Sequence, residues 1–227
     1  MALVQALAGV EINSDSCVYT FTSNLGTHGS AGSGGANPSA GNDLIVVAFS
    51  LFGGNVTDCQ NNQSDTRVLD YSDATNNFYV YRFAGISSSV TSITITNSAS
   101  ANTFIQVWED DATLSYDALE AAWAASGEGF ATDHDWAYGA TAGDKIFICP
   151  ASGGGQWNAS SGTLALTPSA SDIVGSIYKD VPGSGSGNVD LNFTSSSSSS
   201  AALLRYSRAA GTSIPIFMHH YLQNIGN

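Results

Sequence analysis

The chain has 227 residues, of which 43% are hydrophobic and only 11% are charged, well below the quarter that is usual for charged residues. Its 19 acidic and 6 basic residues give a formal net charge of −13 and form no basic stripe, which argues against nucleic acid and against anionic membranes as partners. We expect a surface covered by Ser, Thr, Asn and Gly, whose neutral polar groups cost less to desolvate than charges do.

The two ends of the chain are apolar and nearly uncharged. The first ten residues, MALVQALAGV, lack the basic flank of a signal peptide and are too short to span a bilayer. They predict either a first strand or an arm that docks on a neighbour. With the C-terminal stretch IPIFMHHYLQNIGN, they define two apolar terminal arms, residues 1–12 and 214–227. We expect a chain made in the cytoplasm without a signal peptide.

Segments with strand character dominate the first half. The run DLIVVAFSLF (43–52) is continuously apolar, which is typical of a strand covered on both faces. NFYVYRFA (77–84) is aromatic and β-branched, and TSITITN (91–97) alternates apolar with hydroxyl residues. TFIQVWE (103–109) follows after a polar turn. These patterns predict a succession of strands.

The segment SYDALEAAWAAS (115–126) has a different pattern. Leu119, Ala122 and Trp123 lie at helical spacing. Asp117 is a candidate N-cap, and Glu120 follows three residues later. The pattern predicts a short helix between the two halves of the chain.

The second half repeats the order of the first. DKIFICP (144–150) matches the apolar run, GNVDLNFTS (187–195) the alternating strand, and AALLRYSR (201–208) the last strand. We interpret residues 40–111 and 142–208 as two pseudo-repeats, although short strand patterns also recur by chance. They could form separate domains or halves of one. We favour a single domain over 1–227, an all-β antiparallel sandwich of jelly-roll character.

No catalytic or cofactor motif is present. The nearest approach to a serine nucleophile elbow, HGSAG (28–32), has His28 where a glycine is required. In TDHDWAYG (132–139), Asp133, His134 and Asp135 could orient a catalytic histidine or hold a divalent ion, but a solvated turn before Trp136 and Tyr138 is the simpler explanation. A hydrolase is therefore the last-ranked hypothesis, and we expect no enzyme.

Carboxylates also gather in WEDDATLSYD (108–117). Oxygen ligands of this kind suit calcium, so a structural calcium is the one cofactor that the sequence suggests. Acidic residues at the start of the predicted helix are the simpler explanation. The candidate metal ligands in the two segments are Glu109, Asp110, Asp111, Asp133 and Asp135.

Two aromatic residues stand in polar surroundings. Trp157 in GGGQWNAS and Tyr71 in VLDYSDA could stack on sugar rings. Residues of this kind also fold back as lids on the edge of a sheet. They are the candidate glycan-binding residues.

The succession AGNDLIVVAFSLFGG, NNFYVYRFAG, VTSITITNSASANTFIQVWED and AGDKIFIC resembles a pattern common in structural proteins of tailed phages. The resemblance covers roughly residues 40–208. It implies a β-sandwich virion protein: capsid decoration (cement), head fibre or tail-associated. It carries no site residues, because the pattern marks fold and not chemistry.

From these observations we expect a capsid decoration protein that acts in the virion as a homo-oligomer, with a trimer favoured, and that binds the major capsid protein. The alternative is a carbohydrate- or receptor-binding module of a tail or head fibre, which would use Trp157 and Tyr71.

Overall fold

The computed structural model describes residues 4–21, 37–51, 53–88, 90–110, 114–125, 132–140, 144–152, 157–159, 163–164, 177–180, 184–193 and 199–208. Within these residues every regular element is a β-strand. Every strand pair is antiparallel. The prediction of an all-β protein is confirmed. No helix in the described part is long and apolar enough to cross a membrane.

The first half forms one six-stranded sheet. Its order is β1-β6-β2-β5-β4, and β3 pairs separately with β6. The strands are β1 (Val4–Thr20), β2 (Asp43–Leu51), β3 (Val56–Asn61), β4 (Arg67–Asp73), β5 (Phe78–Phe83) and β6 (Ser92–Asp110).

The second half forms a five-stranded sheet of order β11-β12-β9-β14-β7 and a three-stranded sheet of order β10-β13-β8. Its strands are β7 (Leu114–Ala125), β8 (Thr132–Ala140), β9 (Lys145–Ser152), β10 (Trp157–Ala159), β11 (Thr163–Leu164), β12 (Ile177–Asp180), β13 (Gly185–Phe193) and β14 (Ser199–Arg208).

The described strands of the two halves pair by the same scheme. The order β1-β6-β2-β5-β4 has its counterpart in β7-β14-β9-β12-β11, and the pairing of β3 with β6 has its counterpart in β10 with β13. The difference is that the long strands β1 and β6 are each divided in the second half, into β7 and β8 and into β13 and β14. The unit that recurs in the pairing is longer than 40–111 or 142–208, because it begins with β1 and with β7.

Strand β2 is buried on both faces, as its uninterrupted apolar run predicts. Alternate side chains of a strand point to opposite faces, and the two sets enter different clusters. Leu44, Val46 and Ala48 belong to the first-half cluster. Ile45 and Val47 belong to what we call the inter-half cluster, which also contains residues of β14.

The first-half cluster forms because β1 and β6 bend and carry the sheet over its own face. The register of β1 against β6 shifts on both sides of Ser14, where Ser14 pairs with Ala101 and Ser16 with Thr96. Asn97 supports the bend by donating from Nδ2 to Thr103 Oγ1 at 2.8 Å and to the Ser14 carbonyl at 3.2 Å. Ile95 of β6 thereby reaches the same cluster as Leu44 and Val46 of β2.

The inter-half cluster joins the first-half sheet to β14. Ala202, Leu204 and Tyr206 of β14 pack with aromatic and aliphatic residues of β2, β5 and β6. The first-half members of the cluster are Ile45, Val47, Phe49, Phe78, Val80, Phe104 and Trp108. The two halves therefore share one continuous apolar contact.

Two of the three cysteines lie in the first-half cluster. Cys17 of β1 and Cys59 of β3 are buried free thiols on either side of Ile95, with which both are paired. Burial is the main cause that raises the pKa of the Cys59 thiol above its usual range. Both thiols therefore act as core residues of the first-half cluster.

The short helix predicted at 115–126 is wrong, because Leu114–Ala125 forms strand β7. It pairs with β14 from Leu114 opposite Arg208 to Ala125 opposite Ser199. Ten such pairs give the backbone partners in a neighbouring strand, and this tertiary pairing outweighs the modest helix propensity of the alanines.

For the N-terminal residues the sequence predicts either a first strand or a docking arm, and in the structure the described ones form the first strand. From Val4 to Glu11 the chain pairs with β6 as the beginning of β1. Residues 4–12 are therefore a strand of the chain's own sheet and not an arm separate from it. The C-terminal arm 214–227 lies outside the described residues.

Gly53 and Gly54 connect β2 to β3 against the bend of β6. A Cβ on Gly54 would overlap the backbone nitrogen of Ala99, and one on Gly53 would overlap the carbonyl of Ser100. We expect Gly54→Ala to lower the free energy of unfolding by roughly 3 kcal/mol, because the colliding atom is backbone and cannot rotate away. Urea denaturation followed by circular dichroism measures this loss.

Gly41 provides the matched control. It has φ +84° but open space around its Cβ position. Gly41→Ala should lower the free energy of unfolding by only about 1 kcal/mol, the cost of left-handed backbone for an alanine. A loss for Gly54→Ala no larger than that for Gly41→Ala would contradict the steric argument.

Candidate functional site

The turn between β3 and β4 is held by side chains and not only by backbone. Asn61 Oδ1 accepts from the backbone nitrogens of Gln63 at 3.1 Å and Asp65 at 3.0 Å, and Ser64 has φ +58°. Asp65 Oδ2 accepts from Asn61 Nδ2 at 2.8 Å and from the backbone nitrogen of Ser87 at 2.9 Å. Asn and Asp favour such turns because their short side chains can replace backbone partners. The turn is therefore fixed to the loop after β5.

Asp58 orders two side chains at the mouth of the same turn. It accepts from Gln60 Nε2 at 2.9 Å and forms an ion pair with Arg67 across the start of β4. Both members of the ion pair are partly exposed, so it contributes little to stability. Asp58 instead orients the guanidinium of Arg67 and the side-chain amide of Gln60.

A cleft of about 500 Å³ lies at this edge of the first-half sheet, between β3 and β4. Its volume falls within the range of small-molecule sites, about 300–1,000 Å³. Leu69, 50% exposed, supplies its apolar surface. The lining residues are Gln60, Ser64, Asp65, Thr66, Arg67 and Leu69.

Sequence reasoning did not single out any of these six residues. They belong to QNNQSDTRVL, a polar stretch between two recognisable strands, and such stretches normally form simple turns. The one available signal was the density of Asn, Gln, Ser and Asp over 60–65, which indicates a turn held by side chains.

The AGND sequence before β2 has a structural role. Asp43 Oδ1 accepts from the Gly85 backbone nitrogen at 2.7 Å, and Ile86 donates to the Asn42 carbonyl at 2.9 Å. Glu109, at the end of β6, accepts from Asn42 Nδ2 at 2.6 Å and from the Ser39 nitrogen at 2.7 Å. The motif ties the start of β2 to the ends of β5 and β6.

The candidate metal ligands do not come together in the described structure. Glu109 is engaged with Ser39 and Asn42, and Asp110 is buried opposite Asp43 in the β2–β6 ladder. Asp111 lies outside the described residues. Among the described residues, no three His, Cys, Asp or Glu side chains form a group that could hold a metal ion.

The segment with Asp133, His134 and Asp135 is part of strand β8 and not a turn. The three residues pair in register with Asn192, Leu191 and Asp190 of β13. Their side chains lie outside what the structure describes, so the catalytic and metal-binding hypotheses for them stay predictions.

Tyr71 lies on strand β4 and is half-buried. Its ring centroid is 5.8 Å from that of Phe78, and it packs against the inter-half cluster. This is the geometry of an aromatic residue that folds back on a sheet. Trp157 is in strand β10, and its side chain is not described.

Asp70 makes a polar contact between the halves. A register shift between Leu69 and Tyr71 marks a bulge in β4 at this residue. Its Oδ2 accepts from Arg82 Nε at 3.1 Å and from the Tyr206 hydroxyl of β14 at 3.0 Å. Burial raises the pKa of the Asp70 carboxyl, opposed by Arg82 and by the hydrogen bond from Tyr206.

Comparison with known proteins gives no relatives for this chain. No family model matches it, and neither a curated protein nor a solved structure matches it with significance.

The carboxylate of Asp65 allows a pH-dependent test of what stabilises the turn between β3 and β4. Burial alone would raise the pKa of Asp65, but hydrogen bonds from Ser87 and Asn61 outweigh it and hold this pKa below its usual range. Its stabilisation is therefore complete above the unfolded pKa, about 4, and is lost as the pH falls through the lower folded value. Asp65→Asn should lower the free energy of unfolding by about 1 kcal/mol at neutral pH and by less in acid.

Urea denaturation at several pH values measures this difference. The exposed Asp15 is the control, and Asp15→Asn should leave the free energy of unfolding within about 0.5 kcal/mol of the parent throughout. A pH-independent loss for Asp65→Asn would show that shape and not charge holds the turn.

Proposed function

We propose that this chain is a structural protein of a tailed-phage virion that acts as a capsid decoration protein. In this proposal it is no enzyme and folds as a β-sandwich of jelly-roll character. It assembles as a homo-oligomer, with a trimer favoured, on the major capsid protein. The observation that carries the proposal is the inter-half cluster, which packs two sets of strands with the same pairing scheme against each other.

The surface chemistry supports attachment to a shell. Only 11% of the residues are charged, and the outward side chains of β6 include Ser92, Thr94 and Thr96, which are only partly exposed. Neutral hydroxyl groups cost less to desolvate than charges do, so such a surface can be covered by a neighbouring subunit over a large area. Binding to the assembled shell then stabilises it by mass action.

The position of β1 supports self-association. It is the terminal strand of the first-half sheet in the described order, and its first residues, VQALAGV, are largely apolar. A terminal strand can accept a further strand from a neighbouring subunit along its open edge. In the proposed oligomer, β1 contributes this edge while it stays paired with β6.

Quantitative mass spectrometry of purified source virions tests the proposal. A decoration protein should be present in a fixed ratio to the major capsid protein and in many copies per particle. Absence from the particle, or presence in only a few copies, would overturn the decoration role. Native mass spectrometry of the isolated chain separately measures whether it is trimeric.

A further inference from the structure

The cleft between β3 and β4 combines hydrogen-bonding groups of both kinds with one apolar side chain. Ser64 and Thr66 contribute hydroxyls that donate and accept, and Asp65 contributes acceptor oxygens. Leu69 is 50% exposed beside them. This mixture differs from a purely apolar groove, and it suits a ligand that is itself amphipathic.

Two of the polar groups are oriented in advance. Because Gln60 donates one N–H of Nε2 to Asp58, its carbonyl oxygen and the second N–H are left for a ligand. Arg67 is paired with the same carboxylate, yet a guanidinium has five N–H donors and one carboxylate uses at most two. The cleft thus presents a fixed acceptor and fixed donors side by side.

The rim that carries Ser64, Asp65 and Thr66 is also fixed before a ligand arrives. Asn61 and Ser87 hold Asp65 from two sides. Ser64 and Thr66 are its neighbours in the same turn and also line the cleft. A preorganised rim loses little conformational entropy on binding, which favours affinity even for a small ligand.

The charges around the cleft limit the kinds of ligand that it can bind. Asp58 and Asp65 against Arg67 leave one excess negative charge around the cleft, in a chain of net charge −13. Anionic ligands are therefore repelled. A neutral ligand with several neighbouring hydroxyls and an apolar face meets all of the groups present.

The edge is poorly suited to a peptide strand. The bulge at Asp70 interrupts the ladder of β4, and its carboxylate points inward to Arg82 and Tyr206. A bulge and an inward charge are features that protect an edge strand against pairing with another strand.

We infer that the cleft between β3 and β4 is a binding site for a neutral saccharide unit. Neighbouring ring hydroxyls match the Gln60 carbonyl, the Arg67 donors and the Thr66 hydroxyl, and the C–H face of the ring lies on Leu69. This site is distinct from Trp157 and Tyr71, and the inference does not depend on the proposed virion role.

Saturation-transfer NMR on the full chain tests the inference, with glucose, galactose, mannose and N-acetylglucosamine as probes at millimolar concentration and glucuronic acid as the anionic comparison. At least one neutral sugar should receive saturation and bind more tightly than glucuronic acid. The inference is overturned if no neutral sugar binds or if glucuronic acid binds as tightly as the best of them.

Variants locate the binding. Thr66→Val, which keeps the side-chain shape, should weaken binding of that sugar by roughly threefold to tenfold, the effect of losing one neutral hydrogen bond. The matched control is Thr75→Val, since Thr75 is exposed in the turn after β4 and is not among the residues that line the cleft. Equal affinities for the two variants would place the sugar elsewhere and overturn the inference.

Discussion

Replacing Trp108 by alanine should lower the free energy of unfolding by about 3–5 kcal/mol, the range for the largest truncations in a protein core. Trp108 is 2% exposed and belongs to the inter-half cluster with Leu204 and Tyr206 of β14. The loss therefore falls on the contact between the halves. Urea denaturation followed in parallel by near-UV and far-UV circular dichroism measures it.

The control for Trp108→Ala is Val18→Ala. Val18 lies on β1 and is 50% exposed, so its truncation should change the free energy of unfolding by at most about 0.5 kcal/mol. If Trp108→Ala costs no more than this control, the cluster does not hold the halves together. If the two probes separate in the variant, the halves have lost their common transition.

Replacing Arg82 by methionine should lower the free energy of unfolding by about 3–5 kcal/mol at neutral pH, because it leaves the buried Asp70 carboxylate without its charge partner. The side chain of Asp70 is 0% exposed and that of Arg82 is 12% exposed. Such a pair adds little net stability when intact, but removal of one member leaves a charge in an apolar environment.

The loss in Arg82→Met should depend on pH in a defined direction. Burial already raises the pKa of Asp70, and removal of Arg82 raises it further. A group whose folded pKa is raised adds stability as the pH falls toward its unfolded value, about 4, and that stability is lost as the pH rises through the folded pKa. The defect of Arg82→Met should therefore shrink in mild acid.

Tyr206→Phe is the matched variant for this site. It removes only the hydroxyl that donates to Asp70, so we expect a loss of about 1.5–3 kcal/mol, the range for a hydrogen bond to a charged group. Denaturation of both variants between neutral and mildly acidic pH makes the comparison. A defect of Arg82→Met that stays constant or grows on acidification would contradict the assignment of a buried charge.

The sequence predicts well those strands whose burial follows a single pattern along their whole length. DLIVVAFSL is apolar throughout because β2 lies between two clusters. TSITITN alternates because Ile93 and Ile95 enter the first-half cluster, while Thr94 on the opposite face is only partly exposed. In both cases burial alone dictates the pattern.

The sequence does not predict which distant strands pair with each other. TSITITN and TFIQVWE predict two strands with a turn between them, but both belong to β6, because β1 and β6 stay paired on either side of the bend. The predicted helix at 115–126 failed for a related reason, since its backbone pairs with β14, about eighty residues later.

The cleft could not be predicted either. Its lining residues are near each other in sequence, yet the space exists because β3 pairs with β6 and β4 with β5, so that two strands joined by a short turn belong to different parts of the sheet. A linear pattern does not record such a separation. Asp70 is a similar case, because its partners Arg82 and Tyr206 lie on other strands.

In each half the first strand pairs with the last, Val4 with Glu109 and Leu114 with Arg208. These partners are about a hundred residues apart in the sequence. During synthesis β1 and the apolar β2 are therefore made well before β6, the strand with which both pair. Contacts of such sequence separation form slowly, and the exposed strands are prone to aggregate meanwhile. The first half can close once residue 110 has emerged, and its finished sheet then offers β14 an apolar surface on which to assemble. We therefore expect the first half to fold before the second during synthesis and to act as its template.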